Sequence, residues 1–518
     1  MTDRQPFFSI ITPVFNPPID AFEKCIESVL AQEFQNWEWC LVDDAAGQSM
    51  IWELLVDLAQ RDPRIRLSRR SKNGGIVQAS NDAASLASGQ FLCLLDHDDM
   101  LHLQALAEVA GAILNDDTID YVYTDEDKVD PTGNHYDEFL KPDWSPERLR
   151  GQNFCCHMSV IRRTLFESVG GFRPGFEGSQ DYDLVLRITE KARKIHHIPK
   201  VLYHWRAVEG STAVSAEEKP YAFDAARRAV QDHLDRVGIR GTVDDAGFGY
   251  HRIIRNLQDQ PLASIIIPTR GDSKLIRGSN RSLVLRCVDS VLDKAHQYPN
   301  LEIVVVADTA TPIDVLNEIR SKPSTKTITY DKPFNFSDKC NVGVLGSSGG
   351  VIVLLNDDTE VITGDWLATI VPLTMEPDVG AVGPMLLLED GRIQSAGHSN
   401  VPTPHNFRSG HSPNQPGEFG ILSVARECSG VTGAAMAIRR DVYTRAGGMS
   451  PKFANCFNDV DFCFKIMQLG YRILWTPHAR LFHFESVTRD SNVPDCELKL
   501  LLRRWGRMFD KDRYCRLN

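Results

Sequence analysis

Two acidic clusters stand at the ends of apolar runs. One is Asp96-His97-Asp98-Asp99 in LLDHDD, the other Asn356-Asp357-Asp358 in LLNDDT. Carboxylates alternating at an exposed strand end give Mg2+ or Mn2+ a few hard oxygen ligands and leave positions for phosphate oxygens. A departing diphosphate has that need, because its concentrated charge requires a cation at the breaking bond. In the second cluster the first acid is an amide, still an oxygen donor but uncharged. Asp181 (QDYDL) and Asp459 (NDVDF) each follow a double-glycine loop and open an apolar helix. Alone, either could be a cap or dipole partner. The chemical alternative is a base that takes the proton of an attacking hydroxyl. His204 and His483 close strand-like runs, KVLYHW and ARLFHF. One such histidine would be a core residue; two at matched places, each before a loop containing Ser or Thr, suggest a third metal ligand.

The order and spacing of these groups repeat. Asn81 lies 15 residues before Asp96, and Asn341 lies 15 before Asn356. Asp181 lies 23 before His204, and Asp459 lies 24 before His483. Upstream, FSIITPVFN and ASIIIPTRG are β-branched runs that end at Pro13 and Pro268. Four polar motifs recurring in register imply a duplicated site, not a set of solvated turns.

The elements that carry them alternate. Strands at FSIITPVF, WEWCLVDDA and FLCLLDHDD are separated by helical spacing at Asp20–Gln32, Ile51–Arg61 and Gln78–Leu86. EIVVVADTA, FNFSDKCNVG and VIVLLNDDTE repeat the pattern. Such alternation predicts an α/β fold with a doubly wound, mainly parallel sheet and ligands at the carboxyl ends of its strands. The expected organisation is a domain over 1–237, a Gly-rich linker over 238–260, a second domain over 261–496 and a helical tail over 497–518.

Composition narrows the class. The chain has 518 residues, 42% hydrophobic and 24% charged, ordinary for two globular domains. A net charge of −12 argues against nucleic acid as a partner. Twelve cysteines without CxxC or CxxH spacing form neither a zinc signature nor a disulfide framework, which fits a reducing cytoplasm. The N-terminus does not read as a signal peptide, and no apolar run is long enough to span a membrane. No GxGxxG follows either first strand, which excludes a nicotinamide-dependent Rossmann enzyme.

The ordered set VDDA, NGGxxxASN, LDHDD, GSQDYDL and LYHWR, with IIIPT, FNFSDKCNVG, LLNDDTEV, NDVDF and LFHFES in the second half, resembles the inverting, GT-A-fold glycosyltransferases of family 2. TDEDKVD…FLKPDWSPERLRGQNF is similar to bacterial two-domain enzymes of O-antigen or rhamnose-rich polysaccharide assembly. The resemblance implies two tandem GT-A domains, Rossmann-like with mixed sheets, each using Mn2+ or Mg2+. It implies a dTDP-, UDP- or GDP-linked sugar donor and a lipid-linked glycan acceptor. Pro13, Asp43, Asp44, Asn81 and Asp96 would border the nucleotide, and Pro268, Asp308, Asn341, Asn356 and Asp357 would take those places in the second half. Asp98 with His204, and Asp358 with His483, would hold metal; Asp181 and Asp459 would be the bases. Ala307 replaces the acid expected beside Asp308. The rival readings are one active half paired with a glycan- or nucleotide-binding module, and a non-enzymatic scaffold.

In the tail, Leu498, Leu501, Leu502, Trp505 and Phe509 share helical spacing, with Lys499, Arg503, Arg504 and Arg507 between them. Such a helix suits an anionic membrane surface, giving peripheral contact at the inner face of the plasma membrane. It also suits docking on the second domain, the expectation favoured here.

Overall fold

The computed structural model describes residues 5–47, 49–207, 220–484 and 494–516. The loops expected after His204 and His483 lie largely outside them. Each half is built on one mixed sheet, and the two sheets share a strand order. In the first it runs Ile65–Arg69, Trp37–Asp43, Phe8–Val14, Phe91–Leu94, Ser159–Arg162, Tyr121–Val129, Ile195–Arg206 and Met100–Leu101. In the second it runs Thr325–Tyr330, Leu301–Asp308, Ala263–Thr269, Val351–Leu355, Ala435–Arg439, Val379–Leu387, Arg472–His483 and Thr359–Val361.

The first four strands of each order are parallel. The fifth, Ser159–Arg162 or Ala435–Arg439, enters antiparallel. Parallel strands covered on both faces read as continuous apolar runs, and FSIITPV and ASIIIPT are buried almost throughout. Helices cover both faces, giving each half two apolar cores.

The duplication extends to small polar details. Ser9 Oγ donates to Glu38 at 2.6 Å, and Ser264 Oγ donates to Glu302 at 2.7 Å. Ser28 Oγ accepts from Leu101 N, as Ser290 Oγ accepts from Val361 N.

Residues 238–260, expected as a Gly-rich linker, contain an ordered hairpin, Gly241–Gly247 against Tyr250–Arg255. Gly247, Phe248 and Gly249 all have left-handed φ, so the glycines serve a tight turn and not a loose tether. The hairpin reaches both halves. Arg255 Nη2 lies 2.6 Å from Glu147 and 2.6 Å from Glu376, and Arg252 Nη2 lies 2.6 Å from Asp365.

The tail docks, as expected. Helix Asp495–Trp505 buries Leu501 and Trp505 against Phe453, Val460 and Phe464. Trp505 Nε1 donates to the buried Asp461 at 2.8 Å, and Arg504 pairs with the same carboxylate at 2.8 Å. The chain then returns to the first half, where Arg516 meets Asp125 at 2.7 Å and Arg513 meets Asp143 at 3.1 Å. Among the described residues no helix is long and apolar enough to cross a membrane.

Candidate active sites at the strand ends

In the first half the turn after Phe91–Leu94 brings Asp96 and Asp99 together with His157, their ligand atoms all within 4.8 Å of one another. Asp99 is fixed by Tyr203 Oη, which donates at 2.6 Å, and by the Arg206 amide at 2.8 Å. Burial pushes both carboxyls up from their usual range; for Asp99 the neighbouring Asp98 adds to this, and for Asp96 both Asp98 and Asp181 do, against His157. Crowded, desolvated carboxylates of this kind are what a divalent cation relieves. Burial also resists charging His157, yet Cys156 and Glu126 hold its imidazole well above the ordinary value. Its ring stacks on Tyr203 at 4.8 Å.

His157 was not among the residues expected at this site. Cys93 pairs with Val160 and Val353 pairs with Ala437, so His157, three residues before Val160, corresponds to Ala434 in the second half. The repeat therefore conceals it.

His204 is the converse case and corrects the expectation that it joins Asp98. It pairs with Met100, whereas His483 pairs with Thr359, the residue matching Asp99. The position corresponding to His483 is therefore Trp205. A one-residue step sends a strand side chain to the opposite face. Tyr203 accordingly reaches Asp99, while His204 Nδ1 lies 2.7 Å from Asp127.

In the second half Asn356, Asp358 and His483 lie together. His483 Nε2 lies 3.1 Å from Asp358 Oδ1 and 3.3 Å from Asn356 Nδ2. Its Nδ1 meets Gln394 Oε1 at 2.6 Å, a contact that orients the ring with Nε2 toward the motif. Burial works against the Asp358 charge, but His483 holds its carboxyl below the usual range. Among the described residues Asn356 Oδ1 is buried without a hydrogen-bond partner. An oxygen left unsatisfied beside an acid and an imidazole suits a cation. Asp357, expected at the nucleotide, accepts from Thr269 Oγ1 at 2.6 Å. Burial and Asp358 raise its carboxyl to about 7. His97, at the matching place, reaches the carbonyl of Pro13 at 3.0 Å.

Asp181 opens helix Gln180–Thr189 and accepts from Asn153 Nδ2 at 3.0 Å. Burial raises its carboxyl against the opposing charge of His157, a direction that favours proton acceptance. Asp459 opens helix Asn458–Gln468 and accepts the Gly433 amide at 3.0 Å. The next residue, Ala434, takes the Asn356 amide on its carbonyl at 2.9 Å. A single dipeptide thus joins the candidate base to the metal motif.

Asn81 and Asn341, expected at the nucleotide, clamp a loop instead. Asn81 exchanges hydrogen bonds with Phe172 N and O at 3.0 and 2.9 Å. Asn341 does the same with Met449 at 3.0 and 2.8 Å. Each amide pins the double-glycine loop that leads to Asp181 or Asp459, so its influence on the site passes through the loop. Asp44 accepts from the Gly74 and Gly75 amides at 2.8 Å each and shapes the Asn73-Gly74-Gly75 turn. Asp43 is buried and pairs with Arg69 at 2.8 Å, a group Ala307 cannot hold. Asp308 pairs with the buried Lys339 at 2.8 Å.

Paired mixed sheets of one strand order, each with strand-end carboxylates, an imidazole and a helix-borne acid, give both halves the α/β architecture of the GT-A class. Residues 9–170 match the Glycosyl transferase family 2 model, and residues 261–507 match the Glycosyltransferase like family 2 model. The chain belongs to glycosyltransferase family 2, with one such domain in each half.

It is 39% identical to the uncharacterized protein y4gI of Sinorhizobium fredii, over 96% of this chain and 56% of that one. It is 34% identical to the O-antigen biosynthesis protein RfbC of Myxococcus xanthus, over 95% of this chain and 38% of that one. The hyaluronan synthase of Pasteurella multocida is 30% identical over 39% of this chain and 20% of its own length. The chain therefore spans about half, or less, of the length of these three relatives.

Proposed function

We propose that both halves transfer sugars, by inverting single displacement, from nucleotide-diphosphate donors to a growing bacterial surface polysaccharide such as O-antigen, with rhamnose a candidate sugar. The observation carrying this reading is the recurrence, in each half, of a helix-opening carboxylate beside a strand-end metal motif. Asp96, Asp98, Asp99 and His157 would hold Mn2+ or Mg2+ in the first half, and Asn356, Asp358 and His483 in the second. A bound cation supplies charge neutralisation at the departing diphosphate.

Asp181 or Asp459 accepts the proton of the acceptor hydroxyl. The freed oxygen attacks the anomeric carbon opposite the leaving group, and the configuration inverts. One carboxylate per site suffices, unlike the paired acids of glycoside hydrolysis. Two sites on one chain would add two linkages in turn, a natural way to write an alternating repeat. The acceptor is taken to be lipid-linked, which places the protein at the inner face of the plasma membrane. Leu498 and Leu502 on the tail helix are exposed and available for that contact.

The reading is tested with a panel of dTDP-, UDP- and GDP-sugars, Mn2+ and a synthetic lipid-linked acceptor, read by mass spectrometry. Chelator should stop transfer, and Mn2+ or Mg2+ should restore it. Full transfer in excess chelator would remove the metal assignment. No transfer from any donor would leave a binding scaffold.

A further inference from the structure

The first half carries a second group of metal-ligating side chains that the transfer reaction does not use. Asp127 lies between two imidazoles, its Oδ1 2.7 Å from His204 Nδ1 and its Oδ2 2.7 Å from His135 Nδ1. The candidate ligand atoms of the three residues lie within 4.8 Å of one another. Zinc bonds of about 2.0–2.2 Å allow ligand atoms up to ~4.4 Å apart, so small side-chain rotations bring all three onto one ion. His204 and Asp127 are directly paired neighbours on adjacent parallel strands, and their positions are therefore set by the backbone. His135 pairs with Val129 just beyond a turn in which Asp130 caps the Thr132 and Asn134 amides.

Three observations separate this group from the strand-end site. Alternation along Ile195–Arg206 sends Tyr203 to Asp99 and His204 to the other face. The second half has Leu387 paired with Phe482 where the first has Asp127 paired with His204, so the fold does not require the cluster. Its chemistry also differs: two imidazoles and one carboxylate suit zinc-like ions, whereas the strand-end acids suit Mg2+ or Mn2+. The way in is open, because the His135 side chain is 50% exposed while Asp127 is only 5% exposed.

We propose that Asp127, His135 and His204 form a binding site for a borderline transition-metal ion of the Zn2+ type, separate from the catalytic cation. Such an ion would fasten the Tyr121–Val129/His135–Phe139 hairpin to the strand that carries His204.

Metal-stripped full chain carrying His157→Ala and Asp358→Ala, which removes the imidazole from the strand-end acids and from Glu126 and Cys156, is titrated with Co2+, followed by visible absorption and then displacement with Zn2+. One Zn2+-displaceable equivalent should remain in this background, with histidine ring signals shifted in 15N NMR. Adding His135→Ala should abolish that equivalent and the Zn2+-dependent rise in melting temperature, while circular dichroism stays unchanged. Because His135 is on an exposed hairpin and outside the transfer machinery, metal-restored transfer by otherwise unmodified His135→Ala protein should match wild type. Absence of the equivalent in the double variant, or its persistence after His135→Ala, would overturn the proposal.

Discussion

His204 and His483 stand one register step apart in otherwise matching sheets, so Trp205 occupies the place of His483. The two halves therefore bring an imidazole to the strand-end acids from different places, His157 from the bend before Ser159–Arg162 and His483 from the end of Arg472–His483.

From this difference, His157→Ala should weaken Mn2+-dependent transfer by the first half, and His483→Ala that by the second, each by roughly 10–100-fold in metal affinity. His204→Ala should leave the Mn2+ dependence of the first half unchanged. Metal titrations of transfer, read in an Asp459→Asn background for the first half and Asp181→Asn for the second, check all three. Equal losses in His204→Ala and His157→Ala would restore His204 to the catalytic metal.

The asparagine clamp gives a stability prediction. Asn341→Ala leaves the Met449 amide and carbonyl without their partner, a loss of about 1–3 kcal/mol. Gly448 has φ of 65°, and an added Cβ would come within 2.7 Å of Asn341 Oδ1. Gly448→Ala should therefore destabilise through both backbone strain and contact. Urea unfolding of the two variants reads the effect.

Glu376 lies at the junction of the halves, where burial opposes its charge but Arg150, Arg255 and Arg472 lower its carboxyl from 4.5 to about 2. A folded value below the unfolded one means the stabilisation is complete above about pH 4.5 and is lost as pH falls toward 2. Glu376→Gln should cost about 1–3 kcal/mol at neutral pH, because three guanidinium groups each lose one carboxylate while Arg150 and Arg255 keep Glu147 and Arg472 keeps Asp378 and Glu427. The gap from wild type should narrow in acid; a gap independent of pH would contradict the assignment.

The tail prediction follows from Trp505. Trp505→Ala should cost ~3–5 kcal/mol, and deletion of 497–518 should yield insoluble protein, because Asp461 is fully buried and loses both tail partners. Soluble protein merely released from membranes would favour a surface-binding role.

The duplication, the sheet class and the helix-opening places of Asp181 and Asp459 were legible because they rest on motifs repeated in register. His157 was hidden for the opposite reason: its counterpart is Ala434, and only strand pairing brings it to Asp96. The misplacement of His204 had left a trace, the spacings of 23 and 24 residues to the two histidines. In a strand one residue decides the face, so that single-residue difference carried the correction. Asn81 and Asn341 matched in spacing but gave no sign of direction, since a clamp and a ligand contact conserve position equally well. The 238–260 hairpin was missed because its glycines outweighed the short strand signal around Thr242-Val243 and Ile253-Ile254.

The most direct test of two working sites compares Asp181→Asn with Asp459→Asn. Asparagine keeps the shape but cannot take the hydroxyl proton, so each altered site should lose roughly 10²–10⁴-fold. Mass spectrometry of products on a lipid-linked acceptor should show each variant stalled after one residue, at different points of the repeat. Mixing the two should restore elongation by exchange of the intermediate, which a misfolded domain would not allow. If Asp459→Asn leaves the product unchanged while Asp181→Asn abolishes it, the second half is a binding module and the tandem-enzyme reading is wrong.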